Sequence, residues 1–160
     1  MKLVHALIPI LMLGATPAAA QVMAPTEYVK TAGASDLYER QSSELVMQSS
    51  QDPKVRAFAQ MMVAHHTKST ADVKTAAARS KVAVPPPALT PLQTELIAQL
   101  RSESGPARDA RYIAQQKAAH GQALAVQQAY ATEGTAPPLK AAAAAIVPVV
   151  QHHIQELMKM

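Results

Sequence analysis

Helix-start signals recur along this chain, and strand signals do not. "QDPKV" offers Asp52 as an N-cap with Pro53 at the first helical position, where a missing N–H and a fixed φ do no harm. "ALTPLQTEL" repeats the device with Thr90 and Pro91. "APTEYV" offers Thr26 as an N-cap with Glu27 in the first turn, "SGPARDARYI" restarts after Gly105, and "GTAPPLKAA" opens a last segment at Pro137 or Pro138. No period-2 run of β-branched and aromatic residues occurs. The spacing predicts long helices over 26–49, 53–80, 106–132 and 138–159, and a shorter one over 91–103 after the stiff loop "KVAVPPPALT". Four long helices of similar length imply an all-α fold, an antiparallel four-helix bundle with 91–103 as a short extra crossover helix. Pro148, inside the last segment, is expected to kink it.

The N-terminus reads differently. "MKLVHALIPILMLGATPAAAQ" has Lys2, an apolar run from Leu3 to Leu13, and small residues ending Ala18-Ala19-Ala20. This is the layout of a secretory signal peptide, residues 1–20, with an A-x-A site before Gln21. Residues 21–160 then form one domain, secreted across the inner membrane to the periplasm. No later segment is apolar enough over sufficient length to span a membrane. Cysteine is absent, which excludes disulfides, thiolate nucleophiles and thiolate metal sites. Loss of Lys2 with the leader lowers Lys plus Arg from 15 to 14 against 11 Asp plus Glu. A mild positive balance without a basic cluster argues against nucleic-acid binding.

Two histidine doublets stand out, His65-His66 in "FAQMMVAHHTKS" and His152-His153 in "IVPVVQHHIQELM". An α-helix turns about 100° per residue, so each side chain can be given a direction. In the second helix the apolar stripe is Val55, Phe58, Ala59, Met62, Val63 and Val73; His66 lies near its centre and His65 towards an edge. In the last helix the stripe is Leu139, Ala142, Ile146, Val149, Val150 and Leu157; His153 falls near its centre and His152 points to solvent. By the same test His120 lies between Ile113 and Leu124, and Glu39 aligns with Tyr28, Ala32 and Val46. Each of the four long helices thus contributes one inward ionisable residue, 12–15 residues from its start, so all four can meet in one layer of an antiparallel bundle.

Three imidazoles and one carboxylate suit a single divalent transition metal: zinc, copper, iron or manganese. Buried ionisable groups are costly unless paired or bound to a cation. The metal candidates are therefore Glu39, His66, His120 and His153. The alternative is a metal-free polar network of the same residues, specifying the bundle of an envelope interaction module. Met62, one turn before His66, reads as packing; Gln116, one turn before His120, as a group supporting that imidazole. Asp109 reads as a hydrogen-bonding group at the bundle end, with Tyr112 as its partner. No nucleophile triad, phosphate-binding glycine loop or carboxylate pair appears, so no enzyme activity is indicated.

These landmarks resemble those of DUF4142, a family of secreted bacterial proteins of unknown function in the ferritin-like group. The family's first-helix glutamate is matched by Glu39 in "DLYERQ", its second-helix histidine by His66 in "VRAFAQMMVAHHTK". "GPARDARYIAQQKAAH" matches at Asp109, Tyr112 and His120, and "VPVVQHHI" at His153. The resemblance covers residues 26–158 and implies a ferritin-like four-helix bundle. Arg108 stands where the family has an aromatic residue, and His65 where it has an acidic one. The chain contains no Glu-x-x-His, two copies of which mark ferritin-like di-iron centres. A single metal is expected rather than a carboxylate-bridged pair, with a role in metal handling or envelope stress protection.

Overall fold

The computed structural model describes residues 22–160. The expected signal peptide lies outside the described residues. Five helices follow in order: α1 (Pro25–Met47), α2 (Pro53–Arg79), α3 (Pro91–Arg101), α4 (Gly105–Glu133) and α5 (Pro137–Leu157). Among the described residues there is no strand.

Local chemistry sets the helix starts. Asp52 Oδ1 accepts from the backbone N–H of Lys54 at 2.7 Å and of Val55 at 3.3 Å. Thr90 and Gln93 form a reciprocal capping box at the head of α3. α1 starts one residue before the expected position, with Pro25 in its first turn and Ala24 as an N-cap that makes no side-chain bond. Thr26 therefore sits inside the helix, because a proline already has the required φ. Gly105 opens α4 at φ 56°, a left-handed conformation that glycine takes without a Cβ penalty. α5 continues through Pro148 without interruption. Pro148 and Ala144 are both exposed. Water can therefore take the carbonyl that the proline leaves unpaired.

The four long helices pack in a closed ring, α1 on α2, α2 on α5, α5 on α4 and α4 on α1. Side-chain hydrogen bonds fix the directions. Along α1, Tyr28, Tyr38 and Ser43 pair with Gln127, Gln115 and Tyr112 of α4, so α1 and α4 are antiparallel. The short connections after α1 and α4 make α1/α2 and α4/α5 antiparallel as well. α2 and α4 consequently run the same way, and residues 80–104 must return along the length of the bundle. α3 lies on that return path, packed on α1 and α4.

Bonds at the end of the return tie it to the α1–α2 corner. Ser50 donates to Asp109 at 2.9 Å, Gly105 N–H donates to Ser49 Oγ at 2.9 Å, and Arg108 donates to the Leu45 carbonyl at 2.8 Å. Asp109 thus bonds at the bundle end. Tyr112 is not its partner: the tyrosine hydroxyl lies 2.7 Å from Ser43 Oγ, within α1 and seven residues before Ser50.

Two apolar clusters fill the bundle. One gathers Tyr38, Val46, Val55, Phe58, Met62, Ile97, Leu100, Tyr112 and Leu157; the other Tyr28, Val29, Ala32, Val73, Ala77, Tyr130, Leu139 and Ala143. Met62 is fully buried in the first, as a packing residue. Val149, expected on the inner stripe of α5, is 38% exposed, while Ala143 and Val150 turn inward. Along α2, α4 and α5, the histidines fall between or beside these clusters, in a polar layer.

Candidate functional site

The layer draws one or two residues from each long helix. Glu39 and His153 are each 1% exposed, His120 is 1% and His66 is 6%. Each of His66, His120 and His153 offers a ligand-type nitrogen within 4.8 Å of the other two. Glu39 Oε1 lies 3.8 Å from His120 Nδ1. Of the four residues singled out by helical direction and depth, the three histidines are brought together; Glu39 lies beside them, on the Nδ1 side of His120, and is not part of that group. Nitrogens on one tetrahedral ion sit about 3.4 Å apart, given bonds of about 2.0–2.1 Å. His120 Nε2 and His153 Nδ1 are already 3.2 Å apart, but a set spread over 4.8 Å would need to contract by about 1.4 Å around such an ion.

Hydrogen bonding assigns the protons. His120 Nδ1 lies 3.0 Å from the Gln116 carbonyl, which can only accept, so the ring donates from Nδ1. In a neutral ring Nε2 is then an acceptor, and it lies 3.2 Å from His153 Nδ1. His153 Nε2 in turn lies 2.8 Å from His65 Nδ1. The result is a directed chain in which His65 donates to His153, His153 to His120, and His120 to the backbone. Burial holds the His120 imidazole below its ordinary range. Burial, with the neighbouring imidazoles, pushes His153 down to about 2. Both rings are neutral near pH 7, as the chain requires.

His66 is held differently. Its Nδ1 is 2.9 Å from Asp36 Oδ1, and Thr70 Oγ1 is 2.9 Å from Asp36 Oδ2. Arg40 donates to Thr70 Oγ1 at 2.8 Å. Burial lowers the His66 pKa, but the hydrogen bond to Asp36 and the charges of Glu39 and Asp36 together outweigh it, so the net shift is upward. Asp36 engages Nδ1 and leaves Nε2 with no partner; both Glu39 oxygens are also buried without a partner. A buried carboxylate with no donor costs several kcal/mol unless a proton, water or cation meets it.

Sequence reasoning missed Asp36 and the role of His65. Asp36 was legible: 32, 36, 39, 43 and 46 have the alternating 4-3 spacing of one stripe, and Asp36 is one turn before Glu39. His65 is half-buried at the edge of α2, where direction alone cannot show that α5 reaches it. Gln116 supports His120 through its backbone carbonyl, and its side chain donates to Ser42 at 3.2 Å. His152 is exposed, as its direction implied.

Comparison with curated protein sequences returns no match. Among solved structures, the chain is similar to a crystal structure of a DUF305 protein of Streptomyces coelicolor, described as secreted. The TM-score is 0.66 at 14% identity, over 84% of this chain and 88% of that one. Identity this low speaks for the helical fold alone. Among the described residues no helix is long and apolar enough to cross a membrane. The sequence profile of the domain of unknown function DUF4142 matches residues 12–160, nearly the whole chain, and the chain belongs to that family.

Proposed function

We propose that Glu39, His66, His120 and His153 hold one divalent transition-metal ion, zinc, copper, iron or manganese, and that the protein handles metal or protects the envelope from stress in the periplasm. The observation that carries this reading is the set of orphaned atoms: both Glu39 oxygens and His66 Nε2 are buried without a partner, beside two further buried imidazoles. A cation would supply the positive charge and lone-pair acceptor that this set lacks. Asp36 supports the reading, since a carboxylate on the far nitrogen fixes a metal-binding imidazole and raises its basicity. The periplasmic assignment rests on the N-terminal pattern of residues 1–20 and on a structural neighbour described as secreted.

The test is metal analysis of protein purified without a histidine tag, beside a His66→Ala/His153→Ala variant. Stoichiometric metal in the first and its loss in the second are expected; equal, near-zero metal in both overturns the reading. One observation favours a metal-free structural module instead: both ring nitrogens of His153 and of His120 already have hydrogen-bond partners in the His65–His153–His120 chain. That alternative predicts a melting temperature indifferent to chelator and to added zinc, whereas a resident ion raises it.

A further inference from the structure

The return segment roofs a cleft that the histidine layer does not use. Residues 84–93, together with facing surfaces of α1, α2 and α4, border an open cleft of about 980 Å³. Small-molecule sites commonly span about 300–1,000 Å³. The cleft exists because its walls are small. α4 contributes Ala114, Ala118, Ala119 and Ala123, and α1 contributes Gly33 and Ala34. The roof is stiff, because Pro85, Pro86 and Pro87 fix three successive φ angles and cannot sag into the space. It rests on α1 at Gly33, where an added Cβ would lie 3.5 Å from Pro87 Cβ.

We propose that this cleft binds a long-chain fatty acid, the alkyl chain lying along the walls and the carboxylate at Lys30 and Lys74. The wall is apolar, and its buried polar groups are already engaged. Gln115 accepts from Tyr38, Gln127 accepts from Tyr28, and Asp36 bonds His66 and Thr70. Val84 is 38% and Leu92 61% exposed among the lining residues, apolar surface that an alkyl chain would cover. α1 lines the cleft from Glu27 to Tyr38 and α4 from Arg111 to Gln127. At 1.5 Å per residue those walls are about 16 and 24 Å long, enough to hold an extended alkyl chain along its length.

Charge sets the polarity of the ligand. The Thr70–Asp36 bond fixes the register of α1 against α2. Lys30 lies six residues before Asp36, and Lys74 four residues after Thr70 on the antiparallel helix. Both therefore sit towards the same end, displaced by about 9 and 6 Å. Both line the cleft, and neither forms an ion pair among the described residues. Glu27 shares that end but is outnumbered by the two ammonium groups. At the other end Arg111 is committed to Glu103.

Calorimetric titration of the full chain with palmitate below its micelle concentration tests the proposal. Saturable, stoichiometric binding is expected. Ala118→Trp and, separately, Gln122→Trp fill the cleft from exposed positions on α4 and should each weaken binding at least about tenfold. Lys30→Glu/Lys74→Glu should weaken palmitate at least about tenfold and leave hexadecanol unchanged. No saturable uptake overturns the proposal, as does unchanged affinity in both tryptophan variants with helix content retained. Hexadecanol binding as tightly as palmitate overturns the anionic head group. Uptake only from palmitate-containing vesicles, or a dimer that both tryptophan variants break, assigns the cleft to a membrane surface or a second copy and overturns it.

Discussion

His65 and His66 are chemically identical neighbours with different work, because one step along α2 is a turn of about 100°. His66 lies in the core with Asp36 behind it. His65 reaches the same cluster from the edge, through His153 Nε2 at 2.8 Å. An ion held by His153 Nδ1 requires the ring proton on Nε2, and His65 Nδ1 is placed to accept it. On the proposed metal reading, His65→Ala should lower metal affinity about 10–100-fold, the usual effect of losing a group that orients a ligand. His65→Gln, whose amide oxygen can accept, should retain more of the affinity, and His152→Ala should change nothing. Competition with a chromophoric chelator measures all three, and equal affinity in His65→Ala and wild type would show that His65 does no positioning.

Helix boundaries were readable to within a residue or two because caps and prolines act locally. Asp52 and Thr90 cap as expected, while Pro25 displaced Thr26. The same locality makes the glycines of α4 and its end predictable. An added Cβ at Gly121 meets nothing within 4 Å. Gly121→Ala should therefore stabilise the protein by about 0.5–1 kcal/mol, through helix propensity alone. At Gly134 an added Cβ would lie 2.5 Å from the Tyr130 carbonyl oxygen and 2.7 Å from its ring. Gly134→Ala should destabilise, since backbone stands in the way. Urea unfolding of both variants at pH 7 checks the opposite signs.

Stability of the whole bundle should depend on pH through its imidazoles. His120 and His153 are lowered chiefly by burial. The unfolded chain then takes up their protons first, at about 6.5, and their contribution drains away as pH falls below that value, for His153 down to about 2. His66 is shifted upward, so its contribution is full below about 6.5 and is lost as pH rises through its folded pKa. Unfolding free energy, measured by urea in the presence of chelator, should peak near neutrality. It should fall towards pH 5 by up to about 1.4 kcal/mol per pH unit for each lowered imidazole. His153→Gln should flatten that acid limb; a profile level from pH 7 to pH 5 in the wild type would rule out neutral buried histidines.

The sequence by itself determined the helices and which residue of each turns inward, because backbone capping and a 3.6-residue period are properties of neighbours along the chain. It therefore carried Glu39, His66, His120 and His153 as a set, and Asp36 was there to be read on the same stripe. What only the tertiary structure decided were the relations between helices. The half-buried His65 became a partner of His153 because α5 passes beside the edge of α2 at that level. Tyr112 found Ser43 rather than Asp109 because α4 runs antiparallel to α1 in one register. The cleft under Pro85–Pro87 exists because two parallel helices, α2 and α4, oblige residues 80–104 to travel back along the bundle, and no period in the sequence records where that path lies.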